Sequence, residues 1–187
     1  MFLRSYNFSR VPQASCLPRA LLLITTLLLG STAMGANAVE LEKPTTQGNV
    51  SIQLPKGWTV NAAGGRSVVA ALAPQIDKDA TGQFQASLSI SQDAGNKIDG
   101  AAQQALQVKQ IPGYQILEKP APITINGLVG ETFGGSFKSG KVELRTRQYM
   151  FTLNSQIYTI TFTSLNSTWA TYLPFVDASV ATFAVKH

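Results

Sequence analysis

Cysteine is absent after residue 16, and histidine occurs once, at His187. These two scarcities remove much of ordinary protein chemistry. A single cysteine cannot close a disulfide within the chain. Without internal imidazoles or thiolates there is no structural zinc site, blue-copper site, thiol nucleophile or Ser-His-Asp triad. His187 stands at the C-terminal end of the sequence, and a general base needs a second group to hold it in place, which a fraying end does not supply. Neither G-x-x-x-x-G-K-S/T nor G-x-G-x-x-G occurs, so no phosphate-cradling loop is written into the chain.

A long apolar run is missing too. The most hydrophobic stretch, Ala20–Leu29, is about ten residues, too short to cross a hydrocarbon core roughly 30 Å thick. It follows Arg4, Arg10 and Arg19 and leads to Ala36-Asn37-Ala38, the A-x-A pattern after which a signal peptidase cuts. Residues 1–38 therefore read as a signal peptide, 39–48 as an extended lead-in, and 49–187 as a single domain. Cys16 precedes the apolar run instead of following it, which argues against lipid attachment. The expected location is the periplasm, the extracellular space or a lumen, with no stable membrane insertion after cleavage.

Charge of one sign is also scarce. Three of the fifteen basic residues lie in the signal segment, leaving twelve against ten acids. The lysines are spread singly from Lys43 to Lys186. Nucleic acid needs a basic cluster, so it is set aside as a partner.

What is present is a period-2 pattern interrupted by two helical ones. Val50–Leu54, closed by Pro55-Lys56-Gly57-Trp58, reads as a short edge strand and turn; Ser67–Leu72 is a second strand. Pro74–Gln83 reads as a loop. Phe84–Ser91 alternates, with Phe84, Ala86, Leu88 and Ile90 on one face. Ile98, Ala101, Ala102, Ala105, Leu106 and Lys109 then recur at three and four residues, predicting an amphipathic helix over 99–110, ended by Pro112-Gly113. Tyr114–Glu118, Leu128–Phe137, Val142–Leu153 and Gln156–Ser164 follow as strands. Asn126-Gly127, Ser139-Gly140 and Asn154-Ser155 separate the last three as an antiparallel meander. Trp169, Tyr172, Leu173, Val176, Val180 and Phe183 mark a closing helix, with Pro174 expected in its first full turn. The class is α+β: an antiparallel sheet packed by helices. Trp58 and Trp169 are expected in the core.

Four places could carry chemistry. Asp77-Lys78-Asp79-Ala80-Thr81-Gly82 opens like a calcium loop, but the twelfth position, where a bidentate Glu belongs, is Leu88. Asp77 and Asp79 are thus weak metal candidates, and a polar hairpin loop accounts for them equally well. Glu143, Arg145 and Arg147 share one strand face. That row either grips a partner's carboxylate or is a solvated face with cross-strand ion pairs. Glu131 has no second carboxylate at a readable spacing, and Lys141 sits beside a turn. With Tyr149, Arg145 and Arg147 are the candidate binding residues; reversing both charges is expected to weaken partner capture without changing the fold. No catalytic residue and no cofactor is expected.

Val50-Ser-Ile-Gln-Leu-Pro-Lys-Gly-Trp58, Asn126-Gly127-Leu128 with Glu131–Gly135, the pair of strands across Tyr149–Ser164, and Tyr172-Leu-Pro-Phe175 leading to Ser179–Phe183 together resemble the PsbP/DcrB/Mog-like domains over nearly all of 48–185. The resemblance implies an α/β/α sandwich on an antiparallel sheet, and binding roles instead of catalysis. It carries over no catalytic residue. The expectation is an exported, non-enzymatic accessory protein that binds another protein at the cell envelope or in a lumen. The alternatives are a small-molecule or metal-binding module using the Asp77–Gly82 loop, and a carboxylate-dependent hydrolase acting through Glu131.

Overall fold

The structure, a computed structural model, describes residues 39–61 and 66–186. The signal segment read at 1–38 and His187 lie outside these residues. Two antiparallel sheets organise the chain. The smaller has the order β1-β2-β12, formed by β1 (Leu41–Gln47), β2 (Val50–Pro55) and β12 (Ala184–Val185). The segment expected as a lead-in thus supplies β1. Its pairing makes β2 the middle strand and not the edge strand that its sequence suggested. Val50, Ile52 and Leu54 are completely or almost completely buried, which fits a strand with neighbours on both sides.

The larger sheet has seven strands in the order β3-β4-β7-β11-β10-β9-β8. They are β3 (Thr59–Asn61), β4 (Ser67–Leu72), β7 (Ser87–Ala94), β8 (Gln115–Ile125), β9 (Leu128–Ser139), β10 (Val142–Leu153) and β11 (Gln156–Leu165). The last three form the expected meander, and β8 pairs with β9 to extend it by one strand. Its turns at Asn126-Gly127 and Asn154-Ser155 carry positive φ at both central residues, the twist a two-residue hairpin needs. The edges are guarded. β3 is only three residues long, and β8 carries Pro120, Pro122 and two register shifts, which spoil the edge for pairing with another chain. Within the segment read as a loop, β5 (Asp77–Asp79) and β6 (Gly82–Phe84) make a small hairpin.

The two faces of the large sheet differ. Across β10 and β11, Arg147 opposes Phe162, Tyr149 opposes Ile160 and Phe151 opposes Tyr158. This face meets α2 (Trp169–Val180) and the small sheet, and the main core lies between them. Trp58 and Trp169 are both in it, 7% and 4% exposed. Phe183 stacks on Phe151 with ring centroids 5.5 Å apart. The helix follows a 3-10 turn, Asn166–Thr168, and begins early enough that Pro174 is its sixth residue. Pro174 is therefore one turn deeper than expected and leaves one helical carbonyl without its donor.

The other face is covered in part by α1 (Gly100–Gln110), capped by the Asp99 carboxylate, which accepts the Ala102 N–H at 2.8 Å. The predicted boundaries match to one residue, but the predicted buried face does not. Ala101, Ala102, Ala105 and Leu106 are exposed, and the helix instead packs through Gly100 and Gln104. Gln104 donates from Nε2 to the carbonyls of Glu118 (2.8 Å) and Gly134 (3.3 Å). A buried amide that satisfies sheet carbonyls fixes this helix where an apolar stripe was expected.

Candidate functional site

Arg145 and Arg147 lie on β10 facing α2. In register, Glu118 on β8 and Arg147 on β10 flank Gly134 on β9. A Cβ at Gly134 would lie 2.7 Å from the Thr146 carbonyl oxygen and 3.3 Å from the Glu118 carboxylate. The missing side chain is what lets Glu118 reach across β9. Glu118 takes Arg147 in a two-pronged bond (Nε 2.7 Å, Nη2 2.9 Å) and Arg145 Nη2 at 2.7 Å. Burial alone would raise the Glu118 carboxyl, but the hydrogen bonds from Arg147 and Arg145 outweigh it and hold it below its ordinary value. Burial would lower Arg147, and Glu118 reverses that, leaving it above the usual guanidinium range. Arg145 also stacks on Trp169, 4.6 Å from the ring centroid. Tyr149, the third candidate, is 2% exposed. Its hydroxyl donates to Asp177 at 2.6 Å, and burial first, then Asp177, pushes it well above the tyrosine range. The three candidates thus sit together in one cluster, closed by two carboxylates the sequence did not single out.

Most of the remaining candidates are also engaged. Glu143 pairs with Lys138 across the β9–β10 ladder at 3.0 Å. Glu131 accepts the Gly100 N–H at 2.7 Å, at the start of α1. Lys141 is exposed in the turn before β10. Asp79 closes the β5–β6 hairpin. It accepts the Thr81 N–H at 2.7 Å, the Thr81 hydroxyl at 2.6 Å and the Ser167 hydroxyl at 2.5 Å. These bonds, led by Ser167, hold its carboxyl at about 2. Among the described residues no three His, Cys, Asp or Glu side chains converge as a metal site would require.

Asp77 behaves differently. Its strand turns it into a groove of about 970 Å³ between the end of β2, the link from β4 to β5 and the first turns of α2. Pro55, Trp58, Pro74, Tyr172 and Phe175 form the walls. Trp58 and Tyr172 stand nearly perpendicular, with centroids 6.0 Å apart. Phe175 remains 39% exposed at the rim. Trp58 is therefore both a core residue and part of the groove wall. Sequence reading missed this site because its walls come from three separate segments. Only the Pro-x-Gly-Trp turn and the Tyr172-Leu-Pro-Phe175 run hinted at it.

No family model and no curated protein matches the sequence. Solved structures do match. LpqN of Mycobacterium tuberculosis, described as involved in cell envelope biogenesis, superposes with a TM-score of 0.60 at 14% identity, over 81% of this chain and 93% of its own. Cyanobacterial PsbP (CyanoP) of Synechocystis gives 0.55 at 14%, over 84% and 98%. The Ran-binding protein Mog1p of Saccharomyces cerevisiae gives 0.52 at 9%, over 79% and 96%. The fold is the PsbP/Mog-like fold. Within this PsbP/Mog-like frame, the groove lies where α2 meets the end of the small sheet.

Proposed function

We propose that this chain is an exported, non-enzymatic accessory protein that holds a partner protein at the cell envelope or in a lumen. The observation that carries this reading is the groove. Among the described residues, Arg145, Arg147, Tyr149, Glu143, Glu131 and Asp79 are held by neighbouring side chains or backbone, whereas Asp77 faces an open concavity walled by aromatic and proline side chains. Binding asks for a shaped surface with a few large anchors, and that is what the groove offers. LpqN and Mog1p, described by an envelope process and a binding partner, are similar in fold and support a role of the same kind. Export rests on the three-part N-terminus.

The test is a photo-crosslinking amino acid placed at Phe175 in the producing cell, with the same probe at Val129, 68% exposed on the opposite face of the sheet. Adducts to one protein from position 175 and none from 129 are the expected result. Equal labelling from both, or a reproducible hydrolytic rate from the purified protein, contradicts the reading. The mass of the purified protein should begin at Val39; an intact chain starting at Met1 contradicts export with cleavage.

A further inference from the structure

Asp77 is the one acidic residue among the described residues that is more than nine-tenths buried, at 8% exposed. Its carboxylate has only neutral partners: Gln75 Nε2 at 3.3 Å and Thr168 Oγ1 at 3.4 Å, both long, with the Tyr172 hydroxyl as a third neutral neighbour. No described lysine or arginine pairs with it. The one lysine of the groove, Lys56, is bound to Glu40 at the rim. A buried carboxylate without a cation is costly, and folded proteins ordinarily pair such a charge. Here the open side of the carboxylate faces a groove whose walls are Trp58, Tyr172 and Phe175, and indole and phenol faces attract cations. Burial, then the neighbouring Asp77, pushes the Tyr172 hydroxyl above its ordinary value, so it stays protonated beside the carboxylate. The groove, about 970 Å³, stands near the top of the roughly 300–1,000 Å³ that ligand sites span. An ammonium or guanidinium group alone would leave most of it empty, which favours a cation carried on an apolar chain.

We propose that the groove receives an arginine or lysine side chain of the partner protein, presented on an apolar extended stretch. The cationic end meets Asp77, and the aliphatic stem lies between Trp58, Tyr172 and Phe175. This rests on the groove being the partner-binding face.

Two end-blocked fluorescent heptapeptides test it, one with a central arginine between leucines, the other with the uncharged isostere citrulline in its place. Fluorescence anisotropy with the purified protein should show the arginine peptide binding at least about tenfold more tightly, because only it pairs the buried charge. The preference should shrink to about twofold or less in Asp77→Asn, and should weaken as salt is raised. A melting curve shows whether Asp77→Asn is folded; the arginine–citrulline comparison on the unaltered protein stands without it. Equal binding of the two peptides overturns the proposal, as does no binding of either. If protein adducts at Phe175 persist in that case, the partner reading survives and the cation does not. Free arginine amide competing as well as the peptide overturns the assignment to a chain segment. A charge preference with no adduct at Phe175 removes the protein source of the cation along with the partner reading.

Discussion

Single residues decide where charge is held in this protein. Gly134 is the clearest case, because its missing side chain permits a carboxylate on β8 to reach two guanidiniums on β10 across a strand. The sequence showed Arg145 and Arg147 on one face, and they are on one face. It could not show Glu118, which is 27 and 29 residues away in the chain and comes into register only after a bulge. Nor could spacing show that the row lies under α2. The consequence for mutation is concrete. Arg147→Glu would face Glu118 and Asp177, so it should cost about 2–4 kcal/mol in a denaturant melt, toward the lower end for a broken buried pair because the cluster keeps some solvent contact. Charge reversal here therefore perturbs stability before it reports on binding. A melt unchanged from the parent would show that the cluster is not closed as described. Asp79 gives a pH signature. Its folded value of about 2 lies below the roughly 3.9 of an unfolded aspartate. The stability it contributes is complete above about pH 4 and is lost as pH falls through 2. The difference in melting temperature between the parent and Asp79→Asn should accordingly be largest above pH 4 and shrink toward pH 2. A constant difference over that range contradicts the hairpin clasp.

Elements were easier to read than their orientations. Most strand positions followed from alternation, and Ala86, Leu88 and Ile90 are buried as the period assigned, whereas Phe84 belongs to the separate hairpin strand β6 and is half-buried. The boundaries of α1 followed from Asp99 and from Pro112-Gly113. Its buried side did not, because the hydrophobic pattern competes with hydrogen bonding. Gln104 donates to two sheet carbonyls at once, and packing Ala101 and Leu106 inward would break both of those bonds. Gln104→Leu should cost about 1–3 kcal/mol by equilibrium unfolding despite adding apolar surface, whereas Leu106→Ser, at a position 43% exposed, should stay within about 0.5 kcal/mol. The reverse order would restore the apolar stripe as the packing face. For β2 the error had another source: nothing in a strand's own residues says how many neighbours it has, and β1 was hidden in the polar, proline-containing segment Leu41–Gln47.

At the scale of the whole molecule, the PsbP/Mog-like fold was legible because each of its parts is locally encoded by a turn, a period or a terminal helix. The groove was not. Its lining is drawn from Glu40 and from residues 55–58, 74–77 and 168–175, which only the completed fold brings together, and its aromatic residues read equally well as core. No described helix is long and apolar enough to cross a membrane, and Arg145, Arg147, Tyr149, Glu131, Glu143 and Asp79 are engaged within the fold, so the groove is the open site that favours a binding role. The most direct measurement is capture, by purified variants, of the protein crosslinked from position 175. Phe175→Asp places a charge on an exposed rim residue and should leave stability within about 1 kcal/mol, yet reduce capture about tenfold or more. Val129→Asp on the opposite face should capture as the parent does. Full capture by a folded Phe175→Asp, or loss of capture in Val129→Asp alone, would contradict the account.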